Sequence, residues 1–357
     1  MSEDSAGTSL AQGLICPAPH VPDDRVQLGH GSGGKLSAAL LRERFLPHLG
    51  NETLAELDDG ATVPVAPHRL VISTDTFVVS PLEYPGGNIG SLSVHGTLND
   101  VSMMGAEPRY LTAGFVLEEG LPFAVLDRVT AAMAEAARAA SVPVIAGDTK
   151  VVERGKADGL YLCTTGVGEL SDGFRPAAHR ARPGDAVLVS GPIGRHGIAV
   201  MAAREGLRFE VEVTSDAATL HPLVRTLRDR VGRAVHTLRD PTRGGVASAL
   251  NEIAVAAGVG IVLEDNAFPI PEPVAAACAV LGLDPLYVAN EGIFVAFVEA
   301  AVADDAVDAL KRHPLGAGAA RVGTTVAEHP GLVVLKTGFG GSRVVDMLPG
   351  DQLPRIC

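Results

Sequence analysis

Acidic side chains set in short polar motifs are the first candidates for chemistry in this sequence. Asp58 and Asp59 lie in LDDGA, Asp75 in STDT, Asp100 in LNDVSMMGA and Asp148 in AGDT. Asp75 and Asp148 follow apolar strand patterns directly, at the end where open α/β folds gather ligands. Asp100 falls inside a helical pattern, where aspartate is a poor helix former and a buried charge is costly without a partner. Magnesium takes oxygen ligands and is usually held by a few carboxylates together with substrate phosphates. Taken singly, these aspartates are ordinary helix caps and turn residues. Taken together, they read as a metal–nucleotide site.

Three further segments add to that site. GHGSGGKL at 29–36 matches G-x-x-x-x-G-K through Gly29, Gly34 and Lys35, but Leu36 stands where a P-loop needs a hydroxyl for magnesium. A Walker A loop is therefore excluded, and a glycine loop able to cover phosphates remains, evenly matched by an ordinary turn opening a helix. RDPTRGGVASALNEIA at 239–254 places Asp240 and Arg243 ahead of a helix, whose bare N-terminal amides suit an anion. ANEGIF sets Glu291 before an apolar strand, as a plausible buried carboxylate, and Lys150 follows GDT directly. An isolated Glu or Lys is more often a solvated surface residue. His95 reads as a packing or capping residue.

Cys357 is the last residue, in LPRIC. An exposed terminal thiol invites oxidation, and chain ends fray unless tied down. The preceding KTGFGGSRVVDMLPGDQLPRIC has three glycines near its start and two prolines later. It reads as a flexible arm of about 20 residues with a reach of up to roughly 65 Å.

The elements that must position these groups follow from periodicity. RLVISTDT at 69–76, TAGFVLE, VPVIAGDT and DGLYLCTTGVGE read as strands, while 88–106 and FAVLDRVTAAMAEAARAA read as helices. HRARPGDAVLVSG at 179–191 marks a domain junction leading into a fresh strand. Beyond it, helices are expected near 196–205, 217–231, 244–257, 272–281 and 301–312, and strands near 259–264, 292–299, 319–326 and 331–335. This mixture is an α/β (α+β) protein of two domains. The expected division is an extension at 1–25, a first α/β domain at 26–178, a second α/β domain at 179–335 and a flexible tail at 336–357.

At 357 residues the chain exceeds one typical core, and its 46% hydrophobic content with no Trp makes those cores aliphatic. A net charge of −13 argues against nucleic acid or anionic membrane as partner. Cys16, Cys163, Cys278 and Cys357 show no C-x-x-C or zinc spacing, which suits reduced intracellular thiols. With no signal-peptide pattern and no apolar span of membrane length, the expected location is cytoplasmic.

HGSGGK, DDGA, STDT, GTLNDVSMMGAEP, AGDTKVV, DPTRGG, NEG and the PRIC ending together resemble the HypE family of hydrogenase maturation factors. That family sits in a wider group with aminoimidazole ribonucleotide synthetase, selenophosphate synthetase and thiamine-monophosphate kinase. The resemblance spans about residues 26–357 and implies a two-domain PurM-like fold, with ATP binding and dimerisation falling to the domain at 26–178. In such a dimer the N-terminal domains form an intersubunit β-barrel, and the C-terminal domain is an α/β sandwich. It implies Mg2+ on Asp59, Asp75, Asp100 and Asp148. It implies ATP against Ser32, Gly33, Gly34, Lys35, Thr74, Asn99, Asp240 and Arg243. The implied reaction starts from carbamoyl transfer onto Cys357 by HypF. ATP-dependent dehydration of the S-carboxamide to an S-thiocyanate follows, with Glu291 as base and Lys150 stabilising charge. The cyanide then passes to iron held by HypC and HypD, as a ligand of a nickel–iron hydrogenase. A selenophosphate synthetase is a rival, weakened because LGHGSGGK contains no cysteine. A non-catalytic ATP-binding adaptor is another, with no need of the aspartate set.

Overall fold

The computed structural model describes residues 34–40, 42, 56–58, 61–65, 68–170, 173–207, 210–350, 353 and 355–357. Ser32, Gly33 and Asp59 lie outside the described residues, as do Cys16 and the N-terminal extension.

The first half opens with helix α1 (Lys35–Leu40), strands β1 (Ala61–Val65) and β2 (His68–Phe77), and a short β3 (Glu83–Tyr84) and β4 (Gly87–Asn88) pair. Helix α2 (Ile89–Met103), strand β5 (Ala106–Glu118), helix α3 (Phe123–Ala140), and strands β6 (Val144–Val152) and β7 (Leu160–Leu170) complete it. Among the described residues, these strands form a five-stranded sheet in the order β1-β2-β7-β5-β6, in which only β5 and β6 run parallel. Helix α2 begins where Asn88 accepts the amides of Gly90 and Ser91 while Ser91 Oγ accepts the Asn88 amide, a reciprocal cap. Nearly every residue of α2 is buried, because it lies between the sheet, α3 and the second half of the chain.

Strand alternation assigns the faces of this sheet. Val71, Ser73, Phe77, Leu111, Ala113, Leu162 and Thr164 are buried toward α2 and α3. The opposite face presents Ile72, Tyr110 and Val116, exposed by 38%, 48% and 36%, so no described part of the protomer covers it.

The second half runs β8 (Ala186–Val189), α4 (Arg195–Glu205), α5 (His221–Val231), β9 (Val235–Arg239), α6 (Gly245–Ala257) and β10 (Gly260–Glu264). It continues with α7 (Glu272–Leu281), β11 (Val295–Val298), α8 (Ala303–Lys311), β12 (Ala320–Val326), β13 (Val333–Lys336) and β14 (Ser342–Val344). These strands form a sheet in the order β14-β13-β10-β12-β8-β11-β9. Val187, Val189, Val295 and Phe297 pack toward α6, while Ala186, Leu188, Ala296 and Val298 pack toward α5 and α8. Burial on both faces is why β8 and β11 read as unbroken apolar runs.

The tail is not a loose arm in this structure. Val345 is buried against the second core, and Asn251 Nδ2 donates to its carbonyl. Tyr287 Oη donates to the Asp346 carbonyl, and Lys35 Nζ pairs with Asp346 at 2.6 Å. Leu353 and Ile356 then enter a core that contains Leu92 and Leu98 of the first half and Ile198, Val274 and Val288 of the second. Fully burying two such aliphatic side chains favours docking by roughly 3–6 kcal/mol before the ordering entropy is counted. No helix among the described residues is long and apolar enough to cross a membrane.

Candidate active site: buried acids around the C-terminal cysteine

The site lies where the first sheet, α2 and the second half meet the end of the chain. Ser73 and Asp75 sit on the inner face of β2, and Ser73 Oγ donates to Asp100 Oδ2 on α2 at 2.6 Å. A Cβ added to Gly96, one helical turn before Asp100, would lie 3.6 Å from Asp75 Oδ2. The Asp75 carboxylate therefore lies against α2 about one turn before Asp100. Burial raises the Asp75 carboxyl above its usual range, against the lowering effects of Arg243 and the Thr76 amide.

Asp240 ends β9, only 6% exposed, and burial pushes it up to about 6, with Asp75 adding repulsion against the lowering charge of Arg239. Carboxylates of the two halves thus feel each other across the cleft. Glu291 is 2% exposed and its Oε1 has no hydrogen-bond partner among the described residues. Burial foremost, then Asp240, Asp75 and Asp216, hold its pKa well above the usual value, with Arg243 opposing them. A buried acid with an unsatisfied oxygen is a base or ligand in waiting.

Arg243 is the counter-charge. Its guanidinium is held above its ordinary pKa by Cys357 first, and also by Asp75, Glu291 and Asp100. Cys357, partly buried, is therefore inside this electrostatic cluster. One oxygen of its terminal carboxylate accepts the Val78 amide at 3.1 Å, and the Arg355 carbonyl accepts the Ser80 amide at 3.2 Å. Arg355 Nε donates to the Val78 carbonyl, and its guanidinium pairs with Asp158 and lies 6.0 Å from the Tyr161 ring.

The glycine loop ends against the same tail. Lys35 N–H donates to the Leu348 carbonyl at 3.0 Å, and a Cβ at Gly34 would fall 2.3 Å from that oxygen. Only glycine fits this approach. Lys35 is engaged by Asp346 rather than turned to a phosphate.

Four expected site residues stand elsewhere. Asn99 is fully buried and used up in joining segments: Nδ2 donates to the carbonyls of Ala218 and Glu291, and Oδ1 accepts the Leu220 amide. It holds the Glu291 loop to α2 and has no donor left for a nucleotide. Asp148 and Lys150 pair with each other at 2.7 Å on exposed β6, which keeps the Asp148 carboxyl below its usual range. In register, Asp148 aligns with Gly114, Cys163 and Thr76, so it shares the outer face with Thr76, while Asp75 points inward. Three strand spacings also separate the two strands, roughly 14 Å. Within one protomer, neither Asp148 nor Lys150 joins Asp75. Thr74 likewise faces outward, bonded to Thr165. Among the described residues no group of three acidic, His or Cys side chains is close enough to hold a metal.

Two contributors escaped sequence reading. Asp216 accepts the Glu291 and Gly292 amides at 3.3 and 3.1 Å, with its own pKa raised to about 6 by burial. A Cβ on Gly292 would meet the Asp216 carbonyl at 1.7 Å, which explains the glycine of NEG. Tyr84 has a buried hydroxyl without a partner, raised well above its usual pKa by burial, Glu291, Cys357 and Asp216. His95 bonds Thr219 at 2.7 Å, a packing role.

Comparison with known proteins places this architecture. Residues 57–170 match the N-terminal domain of AIR synthase related proteins, and 182–336 match their C-terminal domain. The fold and cleft are thus those of the two-domain, PurM-like AIR synthase class. The carbamoyl dehydratase HypE of Azotobacter vinelandii is 52% identical over 332 residues, 93% of this chain and 97% of that protein. The HypE of Escherichia coli K12 is 45% identical over 339 residues, 94% of this chain and all of that one. A crystal structure of HypE in complex with ATP superposes with a TM-score of 0.79 at 46% identity, covering 92% and 98% of the two chains. A HypE–HypF complex gives 0.83 at 44% identity, covering 87% and 100%. The chain belongs to the HypE carbamoyl dehydratase family.

Proposed function

We propose that this chain is a carbamoyl dehydratase of hydrogenase maturation that acts on its own C-terminal cysteine. The observation that carries the reading is the docking of Cys357 into a charged cluster of buried Glu291 and Asp240, half-buried Asp75 and Asp100, and Arg243. A docking adaptor has no use for acids whose burial raises their pKa values, and a selenophosphate synthetase has no use for a seated terminal cysteine.

An amide oxygen is a poor leaving group, so the hard step is its removal. ATP is the co-substrate: the S-carboxamide oxygen attacks the terminal phosphorus and ADP departs. Glu291 takes an amide proton as the C=N bond forms. Cleavage of the C–O bond then expels phosphate with its electron pair, and loss of the second N–H proton leaves S–C≡N. Such phosphoryl transfer is mostly positioning and charge neutralisation. Arg243 supplies fixed positive charge beside the sulfur, and Asp216 holds the Glu291 backbone in place.

The residues fit a magnesium ion carried in with the nucleotide. Asp75 and Asp240 repel one another, and magnesium needs only one or two carboxylates plus phosphate oxygens. One or two of Asp75, Asp100 and Asp240 would hold it together with phosphate oxygens, with Asp59 as a further candidate, and it would neutralise phosphate charge. The loop at Ser32–Lys35 covers the phosphates once Lys35 leaves Asp346.

HypF is the carbamoyl donor, consistent with the HypE–HypF assembly, and a HypC–HypD pair accepts the cyanide in the cytoplasm. The uncovered apolar face of the first sheet packs on a second copy, closing a barrel across the dimer, and Asp148 and Lys150 serve the neighbouring site. Mixing Cys357→Ala protein with Lys150→Ala protein tests this. We expect mixed dimers to regain turnover that neither parent has. No recovery, with mixed dimers present, would assign Lys150 no role in trans.

The reading as a whole is tested by intact-mass spectrometry of protein carbamoylated at Cys357. ATP should remove the mass of one water. Retention of the carbamoyl mass in the presence of magnesium and ATP would refute it.

A further inference from the structure

The end of the chain is gripped through several of its main-chain oxygens, and one residue in that seat has no part in the chemistry above. His196, on α4, is fully buried. Its Nε2 lies 2.8 Å from the Ile356 carbonyl and its Nδ1 2.8 Å from Ser215 Oγ. A carbonyl only accepts, so Nε2 carries the proton. Nδ1 of the neutral ring then accepts from the Ser215 hydroxyl. Ser215 Oγ in turn accepts the Ala217 amide at 3.0 Å, which aims its proton at the imidazole. Burial holds the imidazole down to about 4, so it stays neutral at working pH. The Tyr84 ring meets it edge-on at 5.4 Å and 90°, fixing the ring plane.

The neighbouring contacts are of the same kind. Arg204 donates to the carbonyls of Ser80 and Arg355 at 2.7 and 2.6 Å. The Val78 and Ser80 amides complete the set. None of these bonds touches the side chain of residue 357. These main-chain bonds are compatible with the thiol, the S-carboxamide and the S-thiocyanate alike.

We propose that His196, with its tautomer set by Ser215, is a positioning residue that fixes the last peptide unit and thereby aims the Cys357 sulfur into the cleft. The proposal rests on Cys357 being the substrate carrier, and the test separates the two. The alkylation rate of Cys357 by iodoacetamide, read by mass of the C-terminal peptide, reports seating without reference to turnover. For His196→Ala we expect alkylation about three- to tenfold faster, the span of one lost buried hydrogen bond. Single-turnover dehydration should fall at least about tenfold, carbamoylation by the donor enzyme should not slow, and ATP affinity should hold. His196→Gln, whose amide N–H can reach the same carbonyl, should recover part of both rates. Ser215→Ala should move alkylation in the same direction, and it serves where His196→Ala does not fold. Unchanged alkylation in Ser215→Ala and in every folded His196 variant would overturn the proposal. So would slower dehydration accompanied by an equal loss of ATP affinity. Faster alkylation in protein whose wild type shows no ATP-dependent dehydration would sink the carrier reading and leave the seat standing.

Discussion

Replacing Cys357 by alanine should abolish thiocyanate formation outright while leaving ATP affinity and the thermal transition as in the wild type. The change removes one sulfur atom, and the bonds from Val78, Ser80, His196 and Arg204 to the last three residues go to main-chain oxygens. The fold therefore has little to lose. Function loses its covalent anchor, and Cys278 does not take its place: it is buried on α7 with its thiol pushed up to about 11, and a thiol so raised is a poor nucleophile. Cys357→Ser should fail as well, because a serine hydroxyl needs an adjacent base to act as a nucleophile. The check is intact mass after incubation with carbamoyl donor and ATP. Persistence of a carbamoyl or cyano adduct on Cys357→Ala would move the carrier role to another residue.

Glu291→Gln should lower the dehydration rate by about 10²- to 10⁴-fold, the usual worth of a general base, with ATP still bound. The pH dependence follows from the same burial. Glu291 acts only when ionised, and its pKa lies well above the usual 4.5, so wild-type turnover should climb with pH to a correspondingly high midpoint. The sign for stability is opposite. The unfolded chain releases this proton near 4.5, whereas the native protein keeps it. The native state thus binds more protons, and stability falls as pH rises from 4.5 toward the native value. Glutamine removes that loss. Its melting temperature should exceed wild type at pH 8 and match it at about pH 4. A rate unchanged in Glu291→Gln would take the base role from this residue.

Much of the architecture was legible because apolar periodicity is local. The helices expected near 196–205, 244–257 and 272–281 appear as Arg195–Glu205, Gly245–Ala257 and Glu272–Leu281. Strand β9 was not foreseen, since VHTLR is short and mixed, and tertiary pairing with β11 makes it. The position of Glu291 ahead of its strand was readable; its lack of a partner was not, because burial comes from elements far off in sequence. Asp148 shows the limit most clearly. VPVIAGDT does form a strand, but the face on which Asp148 falls depends on a register that shifts between Leu111 and Thr112. The tail misled for a related reason. Its glycines and prolines suggest a free arm, yet its bonds go to Val78, Ser80, His196 and Arg204, partners that composition does not reveal.

The most direct test follows the oxygen of the S-carboxamide. Protein carbamoylated with a heavy oxygen isotope and given ATP should release that isotope in inorganic phosphate, one atom per thiocyanate formed. Its appearance in water, with unlabelled phosphate, would mean that the docked sulfur cargo is never phosphorylated in this cleft.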